Sequence, residues 1–271
     1  MPRVLTNFLL ATAVTTVTCA LGVAQCRQSD QLQVAPPQMH RVQAPPATWT
    51  AERLEQKADE LRAQKAYIDS LDYYVAALAK RPANAVLQNK IGITDLQLQR
   101  FKDAADEFRH AIKSDKTYAD AYNNLGVIYY LEKKYGKAIK QYSKALKLRD
   151  DSASFHSNLG TAYFSKKQFE RATVEYSRAL ELDPDIFERT SQSGVAAQMS
   201  SPEDRAHYDY VVAKMYARLG VTDRSLQYLR KALEDGYKEI DNVYKDAEFA
   251  SLRKDPRFKE LMSARPASIP E

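Results

Sequence analysis

Cysteine and glycine are scarce in this 271-residue chain, and each scarcity excludes a class of structure. Both cysteines, Cys19 and Cys26, lie close to the N-terminus, so disulfide bonds cannot hold the rest of the chain together. There are only eight glycines, and there is no run of alternating β-branched residues of the kind that forms strands. Alanine, leucine, lysine, glutamine and glutamate are abundant instead, which favours an all-α fold.

Motifs of common catalytic and metal sites are also missing. The chain contains no GxxxxGK[ST], HExxH, GxSxG or CxxC motif, and its four histidines (His40, His110, His156 and His207) are scattered. The net charge of +5 is modest and mixed in sign, whereas a nucleic-acid-binding protein concentrates its basic residues on one face. We therefore expect no enzymatic activity, no cofactor, no metal site and no nucleic-acid partner.

The N-terminal segment is typical of a targeting sequence. Arg3 precedes an uncharged stretch from Val4 to Cys26, and the small residues Gly22 and Ala24 suit cleavage after Ala24. Residues 1–24 are predicted to be a signal peptide or, since the stretch is long enough, an N-terminal membrane anchor. Threonines within the stretch favour cleavage. We expect an exported protein, periplasmic or secreted, or alternatively one anchored in a membrane.

The segment that follows leaves the fate of Cys26 open. Bacterial lipoproteins carry a small residue before the lipidated cysteine, and Gln25 is a poor fit there. A lipid, a free thiol and an intermolecular disulfide are the alternatives. Residues 25–50 contain two Pro-Pro pairs and no glycine, so they are predicted to form a semi-extended linker, which could hold the folded part away from a membrane.

A period of 34 residues runs through the centre of the chain and aligns four blocks, residues 51–84, 85–118, 119–152 and 153–186. Four columns keep their residue type: Ala58, Gly92, Gly126 and Gly160; Ser70, Ala104, Ala138 and Ala172; Tyr74, Phe108, Tyr142 and Tyr176; Ala77, Ala111, Ala145 and Ala179. This pattern resembles the tetratricopeptide repeat (TPR), and with the N-terminal segment the chain is similar to exported bacterial-type members of that family.

The resemblance implies an all-α protein, a right-handed α-solenoid of stacked helix-turn-helix repeats with a C-terminal capping segment. Small residues are expected where the two helices of a repeat approach each other. A fifth TPR-like repeat is predicted at 206–239, after an insertion at 187–205. The insertion is expected to be a tolerated loop or short helix, or alternatively a hinge or a partner-contacting loop. Residues 240–262 are predicted to be the cap and residues 263–271 a disordered tail.

In this family, ligands commonly contact the inner face of the first helices, and the resemblance implies a peptide-binding groove there. The matching positions are Asn89, Ile93, Leu96, Asn123, Asn124, Val127, Tyr130, Asn158, Thr161 and Phe164. Asparagine amides can hold a peptide backbone, and Tyr130 and Phe164 would offer apolar contact. The alternative for Asn124 and Asn158 is a role in helix packing.

Two features of the sequence concern surface charge. Glu55, Asp59 and Ser154 stand where some members carry a positive or amide clamp for acidic peptides. Five lysines are spaced by three and four residues and share one helical face: Lys133, Lys137, Lys140, Lys144 and Lys147. That face is either an attractive surface for an anionic lipid or polymer or a solubilising outer wall.

The predicted function is a non-enzymatic protein–protein interaction scaffold that binds a peptide or helix of a partner protein in the concave groove. The alternatives are an envelope assembly factor, pilotin-like and tethered to a membrane, and an accessory subunit of a separate enzyme. The identity of the partner and the oligomeric state are open at this stage.

Overall fold

The computed structural model describes residues 44–190 and 201–264. The predicted signal peptide, both cysteines and most of the linker lie outside these residues, as do the middle of the insertion and most of the tail. Secondary structure in the described residues is helical and includes no strand, which confirms the all-α prediction.

Ten of the described α-helices form five antiparallel pairs. The first helices are α1 (Ala51–Ala63), α3 (Ala85–Gln97), α5 (Ala119–Leu131), α7 (Ala153–Ser165) and α10 (Pro202–Arg218). The second helices are α2 (Tyr67–Lys80), α4 (Phe101–Ser114), α6 (Tyr135–Leu148), α8 (Phe169–Leu182) and α11 (Thr222–Glu234). A short helix, α9 (Ile186–Thr190), lies between the fourth and fifth pairs.

The same backbone turn ends the first helix in every pair. Lys65, Gln99, Lys133 and Lys167, each 34 residues after the last, have φ between 58° and 62°, and Gly220 has the equivalent place in the fifth pair with φ 74°. A left-handed residue at this point lets the next amides bond back to the last carbonyls of the helix. The 34-residue period therefore extends to the backbone conformation.

Small residues bring the two helices of a pair together. The alanine column of the second helices is completely buried, as in Ala111 and Ala145. In the first pair the Ser70 hydroxyl donates to the carbonyl of Ala58 at 2.9 Å, and in the fifth pair Ser225 donates to Ala213 at 2.8 Å. The fifth pair thus keeps the internal packing of the first.

Successive pairs stack because the second helix of one presents apolar residues to the first helix of the next. Leu71 of α2 packs in one cluster with Leu87 and Ile91 of α3, and Ile139 of α6 packs with Leu159 of α7. No pair buries its apolar surface alone, and stacking supplies the shared interior. The predicted α-solenoid of helix pairs is confirmed.

The fifth pair is turned over relative to the other four. The start of α10 lies beside the start of α8, where Lys167 pairs with Asp204. The far end of α10 lies beside the end of α8, where the Tyr216 hydroxyl donates to the carbonyl of Pro184 at 3.0 Å. Helices α8 and α10 therefore run in the same direction, whereas a second helix and the next first helix are antiparallel elsewhere in the described stack.

Helix α9 fills the junction that this reversal creates. The ring of Phe187 is completely buried, and its centroid lies 5.4 Å from that of Tyr176 in α8 and 6.4 Å from that of Tyr216 in α10. Both contacts are edge-to-face, the arrangement that aromatic rings favour. An aromatic cluster thus replaces the regular helix contact between the fourth and fifth pairs.

The last pair is covered by three 3₁₀ turns and a short helix, α12 (Pro256–Ser263). The turns span Ile240–Tyr244, Ala247–Phe249 and Leu252–Lys254. Phe249 and Phe258 are buried in the same cluster as the aromatic residues of α10 and α11. This segment closes the apolar end of the stack.

Candidate functional site

The ten predicted groove residues lie on α3, α5 and α7, but they differ in burial. The half-buried residues are Ile93, Leu96, Asn124, Val127 and Asn158. The buried residues are Asn89, Asn123, Tyr130, Thr161 and Phe164. The half-buried group leaves an inner face, the surface of these three helices around Asn124 and Asn158, that a partner could contact.

Four asparagines form one chain of side-chain hydrogen bonds across three pairs, here named the amide chain. Asn124 donates to Asn89 at 2.9 Å, Asn123 donates to Asn124 at 3.1 Å, and Asn158 donates to Asn123 at 3.0 Å. Asn89 in turn donates to the Tyr118 hydroxyl at 3.4 Å. Each link between pairs joins residues 35 apart, so the chain runs along the stack.

The amide chain satisfies most of the polar atoms that it contains. Each buried amide therefore avoids the cost of an unpaired polar group. This geometry fits the helix-packing role that the sequence left open for Asn124 and Asn158. Both residues are only half-buried, so the same side chains remain within reach of a partner segment.

A charged network continues the inner face towards the first pair. Lys90 occupies the column of Asn124 and Asn158, and its ammonium lies 2.8 Å from Glu55 and 2.7 Å from Asp59. Burial acts to raise the pKa of Asp59, but hydrogen bonds from Lys90 and Tyr74 outweigh it and lower the pKa. The carboxylates at this end are therefore already paired with a lysine from the next helix.

Three of the buried groove residues are held by other parts of the stack. Tyr130 is buried, its ring centroid lies 5.2 Å from that of Tyr135, and its hydroxyl shares a 2.9 Å hydrogen bond with Ser165 of the next pair. Phe164 is covered by Phe169 on the adjacent helix and by α10. Both rings fill junctions between helices and offer no surface to a ligand.

Thr161 is the third of these residues. Its hydroxyl donates to the carbonyl of Ser157 at 2.9 Å and accepts from the Tyr176 hydroxyl at 3.2 Å. Only 1% of its surface is exposed. Its helical spacing placed it on the inner face, but the hydroxyl of Tyr176 from the paired helix reaches it there.

Family models match the centre of this stack. A TPR repeat model matches residues 94–132 and 128–166, and a tetratricopeptide repeat model matches residues 153–186. Residues 94–186 of the chain are tetratricopeptide repeats. Family and fold were both predicted from the columns of the 34-residue period, and both are confirmed.

Several solved structures are similar to this TPR protein. TTC0263, a thermophilic TPR protein of Thermus thermophilus, is 19% identical with a TM-score of 0.49, and the match covers 79% of this chain and 100% of the other. MamA is 20% identical with a TM-score of 0.48, covering 73% and 95%. YrrB, described as a TPR protein with an unusual peptide-binding site, is 17% identical with a TM-score of 0.46, covering 72% and 91%. No curated protein matches the chain.

The TPR stack also contains a cleft that the sequence did not predict, between the parallel helices α8 and α10. It has a volume of about 530 Å³. Leu180 of α8 and Val211 and Met215 of α10 form its apolar part, and Thr173 and Ser177 line the side of α8. Position 173 belongs to the column of Leu71, Ala105 and Ile139, which the next first helix covers in the other pairs.

The rest of the cleft lining, from α10 and the cap, is aromatic and charged. The rings of Tyr210 and Tyr237 stack with centroids 4.5 Å apart, and burial raises the pKa of Tyr237 to about 12. Asp246 accepts hydrogen bonds from the Tyr210 hydroxyl at 2.8 Å and from Lys214 at 3.0 Å. Glu248 lies 3.4 Å from the same ammonium. Apolar floor and polar rim together can hold side chains of a peptide segment.

Two of these missed features differ in how far the sequence could have revealed them. The pairing of Lys90 could have been predicted from the sequence, because Lys90 is 34 residues before Asn124 and its charge is opposite to that of Glu55 and Asp59. The cleft could not have been predicted, because it depends on the reversed direction of α10. The insertion before α10 has no periodic pattern that would indicate this direction.

Two other kinds of feature are absent from residues 44–190 and 201–264. No group of three or more histidine, cysteine, aspartate or glutamate side chains is placed to hold a metal ion in that part of the chain. No helix in it is both long and apolar enough to cross a membrane.

Proposed function

We propose that this TPR protein is a non-enzymatic scaffold that holds a segment of a partner protein, a peptide or a helix, against the inner face of α3, α5 and α7. The repeat family supports the general role of a protein-interaction scaffold. The amide chain is the observation that supports the position. It includes the half-buried amides of Asn124 and Asn158, and the half-buried side chains of Ile93 and Val127 lie on the same helices.

An amide row bordered by apolar side chains suits a peptide segment. Amides both donate and accept, so they can bond to peptide groups whatever the side chains of the segment are. The apolar residues add contact area, which raises affinity without demanding a charge. Glu55 and Asp59 already neutralise Lys90, so the inner face offers no strong cationic clamp for an acidic terminus.

The test starts from peptides selected by display on the full chain, with affinity measured by fluorescence anisotropy. Val127→Lys should weaken binding by roughly tenfold or more, because it inserts a charge into the apolar border. Val174→Lys is the matched control, since Val174 is 65% exposed on α8, away from the inner face. Its affinity should equal that of the unchanged protein.

A third variant separates the two candidate surfaces. Val211→Lys changes the cleft between α8 and α10 and should leave affinity unchanged if the segment lies on the inner face. Weaker binding by Val211→Lys, together with unchanged binding by Val127→Lys, would move the site to the cleft and refute the inner-face proposal. Failure to select any peptide would refute segment binding altogether.

A further inference from the structure

The five lysines of the sequence pattern are here named the lysine face. Four of them lie on one face of α6. Lys133 lies in the turn before that helix, where its φ is 58°, and not on the helix as the sequence predicted. All five are exposed, and the side opposite them carries the buried Ala138, Tyr142 and Ala145. A 14-residue helix is about 21 Å long, so the charge is spread along a straight edge of the stack.

No ion pair joins the lysine face to a carboxylate in the described part of the chain, although most other helices there carry such pairs. Lys137 and Lys144 instead lie over the rings of Tyr129 and Tyr122, at 5.7 Å and 5.4 Å from the ring centroids. Aromatic faces hold the ammonium groups without neutralising them. The positive charge of this face is therefore available to a partner.

Exposed apolar side chains accompany the lysines. Leu148 follows Lys144 by four residues on the same side of α6 and is 43% exposed. On the next second helix, Val174 occupies the column of Lys140 and is 65% exposed, and Arg171 occupies the column of Lys137. Cationic and apolar residues on one exposed surface are the combination that binds at a membrane interface.

We propose that the lysine face is a docking surface for a bilayer that contains anionic phospholipids. Lysine is a flexible point charge, which suits a diffuse layer of headgroups better than the fixed geometry of a single phosphate. The N-terminal segment, predicted from sequence to be a leader or an anchor, is an independent sign that the protein meets a membrane. This proposal does not depend on the inner face or on its ligand.

The test measures binding of the full chain to vesicles of phosphatidylcholine, with and without phosphatidylglycerol, by co-sedimentation. A variant with all five lysines changed to glutamine should lose roughly tenfold or more of its partitioning to the anionic vesicles, because each lysine near such a surface contributes several-fold. Its binding to neutral vesicles should equal that of the unchanged protein, since the N-terminal segment is the same. Circular dichroism should show the same melting curve.

The matched control changes five exposed lysines that lie away from this face: Lys65, Lys102, Lys116, Lys245 and Lys259. Net charge falls equally in the two variants, so a larger loss in the first identifies the lysine face. Equal losses of vesicle binding in the two variants would overturn the proposal. Binding of the unchanged protein that is the same with and without phosphatidylglycerol would also overturn it. So would lysine-dependent binding of polyglutamate or nucleic acid in the absence of any vesicle binding.

Discussion

The Cβ position of Gly126 in α5 would lie 2.6 Å from Cε1 of Tyr142 in α6. The ring of the second helix therefore rests directly on the backbone of the first. Gly92 has the same relationship with Phe108, and Gly160 has it with Tyr176. Glycine at this column sets how closely the paired helices approach.

Gly126→Ala should destabilise the protein by about 1–3 kcal/mol, because the new methyl group meets the completely buried ring of Tyr142. The control is Gly136→Ala in the first turn of α6, where nothing lies within 4 Å of the added carbon. Alanine favours a helix over glycine, so this change should stabilise by up to about 1 kcal/mol. Urea denaturation of both variants measures the difference, and equal effects would contradict the packing account.

The hydroxyl of Tyr142 is buried and has no hydrogen-bond partner within the described residues, whereas that of Tyr176 donates to Thr161. Tyr142→Phe should therefore be neutral or stabilising by about 1 kcal/mol, since it removes an unpaired polar group. Tyr176→Phe should cost about 1 kcal/mol. Thermal melting of the two variants shows whether each change raises or lowers stability. A loss of stability in Tyr142→Phe would indicate an additional partner for that hydroxyl.

Phe164 fixes the junction between the fourth pair and α10. Phe164→Ala should reduce the free energy of unfolding by about 3–5 kcal/mol, because it leaves a cavity among Phe169, His207 and Tyr208. Val174→Ala, on an exposed position, should change it by less than about 0.5 kcal/mol. Differential scanning calorimetry measures the stability of both variants. Weaker peptide binding by Phe164→Ala at unchanged stability would restore Phe164 to the groove.

The sequence revealed the repeated part of the fold because each of its features recurs every 34 residues. The columns of Gly126, of Tyr142 and of the buried alanines indicate close helix packing. Each column can be compared between successive repeats. The burial of Tyr130 and Phe164 depends on contacts from the next helix pair. For Phe164, the first helix of that pair runs in the reversed direction. Periodicity within one helix cannot show which of its faces a distant element covers.

The stability of the fifth pair should depend on the ionisation of Asp209. Burial raises its pKa to about 7, and Lys231 opposes this only in part. The carboxyl group therefore holds its proton more tightly in the folded than in the unfolded state, where its pKa is about 3.9. Folding stability should consequently fall as the pH rises from about 4 to about 7.

Asp209→Asn removes this titration. At pH 8 the variant should be more stable than the unchanged protein by roughly 1–3 kcal/mol, and at about pH 4 the two should be equal. Guanidinium denaturation at both pH values measures the difference. A variant that is equally or less stable at the higher pH would show that the carboxylate is well solvated in the folded protein.

We propose from the sequence that the chain is exported and that its leader is removed after Ala24. The mature protein should then begin at Gln25, which mass spectrometry of protein purified from its native cells can measure. Changing Ala24 to Lys should block removal, because cleavage requires a small residue there. An intact N-terminus would favour an anchor, and added mass at Cys26 would indicate a lipid.

The reversal at α10 limits how this protein can evolve in length. In the first four pairs each unit ends at the point where the next unit begins. Duplication or deletion of 34 residues in the gene would therefore preserve the regular repeat of the array. Beyond α8 that symmetry is broken, and an extra unit inserted there would meet a neighbour of opposite polarity. Variation in copy number should therefore be confined to the region before residue 186, with the fifth pair and its cap inherited as a fixed terminus.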